Sequence, residues 1–312
     1  MTPGILAMVL FAVLSAVRDV LAKERFSQQS VSPVFFVWYG CTIAAVLFYL
    51  RASLRVGRPY AFQDFRKASR PIQRRFVATN VMTLVAFVTT FLAIERLNAF
   101  SNALIDYGAA PIVTATLAVW MRGERLSARA IAGMLVSIAG MVILLSGMRG
   151  SQGSEVGPQL TGVLYAVASC VALAMAMVWN KDFVDYGIMR ERVIVTRLPL
   201  CVVALGAWCL ATDGFPPASV WAGQAVLALL GFAGPLLLIV YAFESLQVKH
   251  VAIAQFMVPV LSFYGSLAFG RLTGNVASGI VAGCVVLFGV AWSEWWSRPK
   301  RPRALATSSS PA

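Results

Sequence analysis

Histidine is almost missing from this 312-residue sequence, which has one, His250, beside five cysteines and 13 acidic residues. The cysteines, Cys41, Cys170, Cys201, Cys209 and Cys284, lie in apolar runs and form no C-x-x-C pair. That argues against a zinc site or a disulfide framework and makes the thiols small buried packing residues. Charge is scarce too, at 12% of residues against roughly 25% in a soluble domain. No G-x-x-x-x-G-K-[ST], H-E-x-x-H, G-x-S-x-G, T-V-G-Y-G or D-D-x-x-D motif occurs. Direct ATP drive, zinc or serine hydrolysis, a potassium-type filter and a clustered-acid transferase site all lose their usual signatures.

Apolar residues fill the chain instead, at 59%. A helix needs about 20 of them to cross roughly 30 Å of hydrocarbon. Runs bounded by charge, proline or glycine give ten cores: 3–22, 34–50, 76–95, 101–121, 128–147, 159–180, 193–212, 220–243, 250–269 and 275–296. The expectation is an all-α polytopic membrane protein with ten transmembrane helices and short loops. The first run does not read as a cleaved leader: Met1–Gly4 carries no basic region, and Arg18-Asp19 interrupts the cleavage zone.

The 26 Lys and Arg residues leave a formal charge of +13. They are unevenly placed. Segment 51–75, Arg122, Arg125, Arg129, Lys181, Arg190, Arg192, Arg197, Lys249 and the tail from Arg298 fall on one side, twenty cations against five on the other. The positive-inside rule then sets both termini in the cytoplasm, in a cell (inner) membrane. The charge is a topology signal and not a nucleic-acid surface. Segment 51–75 reads either as a basic interfacial helix anchored by Tyr60, Phe62, Phe65 and Ile72 or as a solvated loop. Residues 298–312 read as a disordered basic cytoplasmic tail.

The sequence also repeats. Leu97-Asn98-Ala99-Phe100, Pro111 and Arg122-Gly123-Glu124-Arg125-Leu126-Ser127 find counterparts in Leu246-Gln247-Val248-Lys249, Pro259 and Phe269-Gly270-Arg271-Leu272-Thr273. Residues 1–150 and 151–297 therefore read as two five-helix halves. Five is odd, so the second half enters from the opposite side, as an inverted-topology repeat.

The run Ala109-Ala110-Pro111, Gly123-Glu124-Arg125-Leu126-Ser127, Gly133 and Gly140 resembles the signature of EamA-type permeases in the drug/metabolite transporter superfamily. The resemblance covers 3–296. Arg271 stands where the family usually has Glu, and Ser15-Ala16-Val17-Arg18-Asp19 replaces its frequent Trp-Gly. It implies a secondary transporter and not an enzyme, moving a small polar or amphipathic metabolite, such as an amino acid or derivative, by alternating access in the export direction. It further implies that helices five and ten meet between the halves and at a dimer contact, and that spans 1, 3, 4, 6, 8 and 9 form the cavity. A membrane-embedded lipid-modifying enzyme and a passive channel stand as alternatives.

Charges inside spans are costly and face the interior or water. Arg18 reads as a ligand for a substrate carboxylate. Asp19 reads as a proton or amine site, or as the partner of Lys23 one turn on. Asp106 is either an acid favoured by a helix dipole or a coupling carboxylate. In the cavity that the resemblance implies, Asn80, Tyr107, Trp179, Tyr241 and Gln255 join Arg18 as substrate-binding candidates. Asp19 and Asp106 are the candidates for proton coupling. Glu95, Arg96 and Glu244 read as interfacial, Glu124 as a partner of Arg122 or a cap, and Trp292, Trp295 and Trp296 as an interfacial belt. Gly133, Gly140 and Gly147 share one face, and Gly279 and Gly283 form a G-x-x-x-G. Both sets read as close packing or as a pivot and homodimer seam. Pro111, Pro199, Pro235 and Pro259 kink their spans, and the freed carbonyls either line a cavity or are accommodated. No catalytic residue, metal or cofactor is expected; the partners are a small-molecule substrate and the bilayer.

Overall fold

Prolines and polar residues decide where the apolar runs are cut. The structure, a computed structural model, describes residues 3–28, 31–146, 156–212, 215–270 and 276–295. Gly147, Arg271, Leu272, Thr273, Trp296, the tail 298–312 and the side chain of Trp295 lie outside the described residues. The first half folds as α1 (Pro3–Ser27), α2 (Pro33–Val56), α3 (Gln63–Lys67), α4 (Arg70–Arg96), α5 (Ala99–Arg122) and α6 (Ala128–Ser146). The second half begins with α7 (Val156–Asp185), α8 (Arg190–Arg197), α9 (Pro199–Ala211) and α10 (Ala218–Ala228). A π-helical turn (Leu229–Ala233) leads into α11 (Gly234–Ser245), α12 (Val248–Ala254), α13 (Met257–Ala268) and α14 (Val276–Trp295). All regular structure among the described residues is helical.

Eight stretches among the described residues are long and apolar enough to cross a membrane, with α8–α9, α10–α11 and α12–α13 counting as one each. Shorter apolar helical stretches, Ala128–Ile143 and Val276–Gly289, lie in α6 and α14. Helix ends follow local chemistry. Ser32 and Asn98 accept from the backbone N–H groups of Phe35 and Ser101 and start α2 and α5. Gly57 and Gly123, both left-handed, end the same two helices. Leu54, Trp120, Val203, Leu210 and Val226 are exposed, a surface that suits lipid and not water.

Around the centre, α1 packs on α11 and α13, α7 packs on α4 and α5, α2 packs on α9, and α6 packs on α14. The α6–α14 seam is close. A Cβ on Gly140 would lie 2.7 Å from Val286 and 3.1 Å from the Ala282 carbonyl. One on Gly289 would lie 2.7 Å from the Gly133 carbonyl. Gly279 and Gly283 face Phe263 and Val260 of α13. These glycines therefore meet other helices within one chain, which agrees with their reading as close packing.

Segment 51–75 is neither a long interfacial helix nor a free loop. Helices α2 and α4 run into it, α3 is one short turn, Tyr60 is buried, and Phe62, Phe65 and Ile72 pack on the core. Tyr60 donates to Asp64 at 2.8 Å, and Arg192 pairs with Asp64 at 3.2 Å. Burial and the neighbouring Asp64 carboxylate push the Tyr60 hydroxyl above its ordinary range, so it remains a donor. Arg51 and Arg55 converge on buried Glu191 at 2.9 and 3.2 Å. Part of the basic excess is thus held in ion pairs between elements.

Candidate functional site

The site forms where helices are broken. Pro235 has no N–H to give the carbonyl four residues back, which belongs to Gly231 in the π-helical turn. Arg18 of α1 reaches that carbonyl at 3.4 Å through Nη1. Only glycine lets it lie there, since a Cβ at 231 would sit 2.8 Å from Arg18 Cγ. Arg18 also donates from Nε to Asp19 at 2.8 Å and from Nη2 to the Tyr107 hydroxyl at 3.1 Å. Its guanidinium lies over the rings of Phe91 and Phe232, 5.3 and 5.8 Å from their centroids. Arg18 is 5% exposed and Asp19 fully buried. Asp19 therefore takes Arg18 as its ion-pair partner, at 2.7 Å, while Lys23 donates to the Glu95 carbonyl; the expected Asp19–Lys23 pair is corrected.

A second break separates α8 from α9 at Leu198-Pro199. An unbroken helix would pair the Leu200 N–H with the Thr196 carbonyl. Here the side-chain amide of Asn80 stands in for both. Its Nδ2 donates to the Thr196 carbonyl at 2.5 Å, and its Oδ1 accepts from the Leu200 N–H at 3.3 Å. Asn80 thus bridges the break from α4, and it also lines a second cavity beside Thr196, Pro199 and Leu200. Asn80→Ala should leave two backbone groups unpaired and cost about 1–3 kcal/mol, read as a lower unfolding temperature in detergent. At this break Arg197, read from sequence as a cytoplasmic loop cation, is buried in the bundle and donates to Thr83 at 3.2 Å. The signal was present: Arg197 lies inside the apolar core 193–212, with a proline two residues later.

Asp106, fully buried on α5, accepts from Thr90 at 3.1 Å and from Ser169 at 3.1 Å to each oxygen. Thr90 and Ser169 are themselves hydrogen-bonded at 2.5 Å. This carboxylate has hydroxyl partners, with no ion pair to a described cation. It lies in the helix interior and not in the first turn, so the dipole reading does not fit.

Arg18, Tyr107 and Arg197 line one cavity of about 40 Å³, walled by Phe11, Phe87, Leu173, Met177, Phe232, Pro235, Leu236 and Ile239. About two or three waters fit such a volume, far below the ~300–1,000 Å³ of a small-molecule pocket. Of the binding candidates, Arg18 and Tyr107 line it. Trp179 is buried in α7. Gln255 donates to the sulfur of lining Met177 at 3.4 Å from the α12–α13 break. Tyr241 is half-buried with Arg190 over its ring at 4.7 Å. Asn80, Trp179, Tyr241 and Gln255 are not among the lining residues, nor are Asp19 and Asp106.

At one end, ion pairs join α7 to the first half. Asp182 meets Arg75 at 2.8 Å and also Arg122, and Asp185 meets Arg122 at 2.5 Å and Lys181 at 3.0 Å. Glu124 pairs with Arg122 at 3.2 Å, as expected, and Glu244 with Arg190 at 2.7 Å. Cys41, Cys170, Cys201 and Cys209 are buried, whereas Cys284 is exposed, contrary to its reading as a packing residue.

Comparison with known proteins gives two likenesses. Residues 2–146 match the family model of the EamA-like transporter family. A solved structure, described as a crystal structure of a protein, is similar with a TM-score of 0.67 at 22% identity, over 94% of this chain and 95% of that one. At that identity the likeness speaks for the fold. None of the curated proteins compared with the chain matches it.

Proposed function

Because this chain is an EamA-type protein of the drug/metabolite transporter superfamily, matched to that transporter family over residues 2–146, we propose that it is a secondary-active transporter. It moves a small polar or amphipathic metabolite, an amino acid or derivative, by alternating access and in the export direction. The observation that carries this reading is the buried Arg18–Asp19–Tyr107 cluster. It is fixed on the carbonyl of a broken helix and opens onto a cavity at the centre of an apolar bundle. Intramembrane charge on discontinuous helices is the pattern of transporter substrate sites.

The helix contacts support an arrangement of ten spans in two inverted fives. Span 1 is α1, span 3 is α4, span 4 is α5 and span 6 is α7; spans 8 and 9 are α10–α11 and α12–α13. Span 1 contacts spans 8 and 9, and span 6 contacts spans 3 and 4. Exchanging the halves turns one set of contacts into the other. The small cavity and the ion pairs of Asp182 and Asp185 fit an occluded conformer, latched at the end bearing most cations. That end is cytoplasmic, and both termini lie on its side of the inner membrane; moving Arg197 out of the loop tally leaves the asymmetry intact. Proton coupling runs through Asp106, with Asp19 held by Arg18.

Reconstitution in liposomes tests the reading. A carrier shows saturable uptake and trans-stimulation by unlabelled metabolite on the far side. Linear, unsaturable flux would identify a channel, and no flux across a metabolite panel would contradict transport.

A further inference from the structure

Arg197 is a buried cation that the transport reading has not yet used. It is 3% exposed, lines the cavity beside Arg18 and Tyr107, and donates from Nε to Thr83. No described carboxylate lies within ion-pair distance of it. The thiols of Cys41 and Cys201 also lie close enough to interact with its charge. Arg18, in contrast, is neutralised by Asp19 at 2.7 Å. Of the two cations on the lining, Arg197 is therefore the one with no ion-pair partner among the described residues. A buried guanidinium without a counter-charge is expensive to keep, and its planar fork of donors matches a carboxylate.

We infer that Arg197 and Arg18 form an anion seat, and that the transported molecule is an organic monocarboxylate with an apolar body. The inference rests on the transport reading of this cavity and narrows its substrate from an amino acid or derivative to a derivative that lacks the amine. The walls suit an apolar body: Phe11, Phe87, Phe232, Leu173, Leu236 and Ile239 supply ring faces and branched chains. The head group follows from the charges. Asp19 is already engaged by Arg18, and Asp106 does not line the cavity. No free carboxylate is left there to receive an ammonium group. A zwitterionic amino acid is thus a poorer fit than the matching acid without the amine, and one unpaired guanidinium suits a monoanion better than a dianion. The seat is preformed on the α8–α9 break, which Asn80 holds, while the volume for the body appears when the bundle opens.

The test uses the full chain, purified in detergent, and four probes that share a phenyl ring and differ in head group: phenylacetate, phenylalanine, phenylethylamine and phenyl phosphate. Ligand binding raises the unfolding temperature by mass action. Phenylacetate is expected to stabilise most, and Arg197→Gln to weaken it by about 10- to 100-fold, the worth of charge-assisted hydrogen bonds. Arg197→Lys, which keeps charge but loses the fork, should lie between. If Arg197→Gln does not fold, the lysine variant and the wild-type ranking of head groups decide. Absent stabilisation by phenylacetate, a preference for the amine, zwitterion or dianion, or unchanged phenylacetate affinity in the Arg197 variants would overturn the seat. Counterflow in proteoliposomes separates this from the broader reading. Arg197-dependent binding without counterflow leaves the seat and removes the transporter. Counterflow of a probe without Arg197 dependence does the reverse.

Discussion

Replacing Arg18 by alanine is expected to abolish transport and to weaken the fold at the same time. The side chain holds four things together: Asp19, the Tyr107 hydroxyl, the Gly231 carbonyl and the aromatic faces of Phe91 and Phe232. Removing one partner of a buried ion pair leaves an uncompensated charge and costs about 3–5 kcal/mol. The single variant therefore confounds binding with folding. The double variant Arg18→Ala with Asp19→Asn separates them, because the amide needs no counter-charge. It should recover much of the lost stability, measured by thermal unfolding, while transport stays at background. Wild-type transport in the double variant would remove Arg18 from the binding site.

The second large effect is expected at Asp106. Its carboxylate is solvated by Thr90 and Ser169 and not by a cation. It can therefore gain or lose a proton without breaking an ion pair, which Asp19 cannot. Asp106→Asn is nearly isosteric and retains an oxygen for the two hydroxyls, so folding should change little. Substrate-driven proton movement, followed with a pH-sensitive dye inside proteoliposomes, should disappear while counterflow of substrate persists. Unchanged proton movement in Asp106→Asn would assign coupling elsewhere.

Much of this was legible in the residues, for identifiable reasons. Hydrophobic run length marks a span, since lipid tolerates little else, and an arginine within a run as apolar as 3–22 can only be buried or snorkelling. Arg18 is therefore visible from sequence, and Tyr107 with it through the neighbouring Asp106. Arg197 was obscured because a charge near the start of a run counts equally well toward the preceding loop. Helix bends lie beyond periodicity: Pro199 and Pro235 announce a lost hydrogen bond, but not which side chain replaces it. The answers, Asn80 at Thr196 and Arg18 at Gly231, come from residues 116 and 213 positions away in the chain. Trp179, Tyr241 and Gln255 carry plausible chemistry, yet helix rotation decides which face the cavity, and an evenly apolar helix does not encode its rotation. Phe232 was invisible for the same reason, one phenylalanine among many in an apolar run.

The central claim is that the cavity beside Arg18 opens to each side of the membrane in turn. A cysteine at Leu173, on the cavity wall, reports this directly in a chain whose five native cysteines are replaced by serine or alanine. Its reaction with a membrane-impermeant maleimide is measured from each side of oriented vesicles. The account predicts modification from either side, with substrate raising the rate on one side as it lowers it on the other. A cysteine protected from both sides under all conditions, or equally reactive from both regardless of substrate, would contradict it.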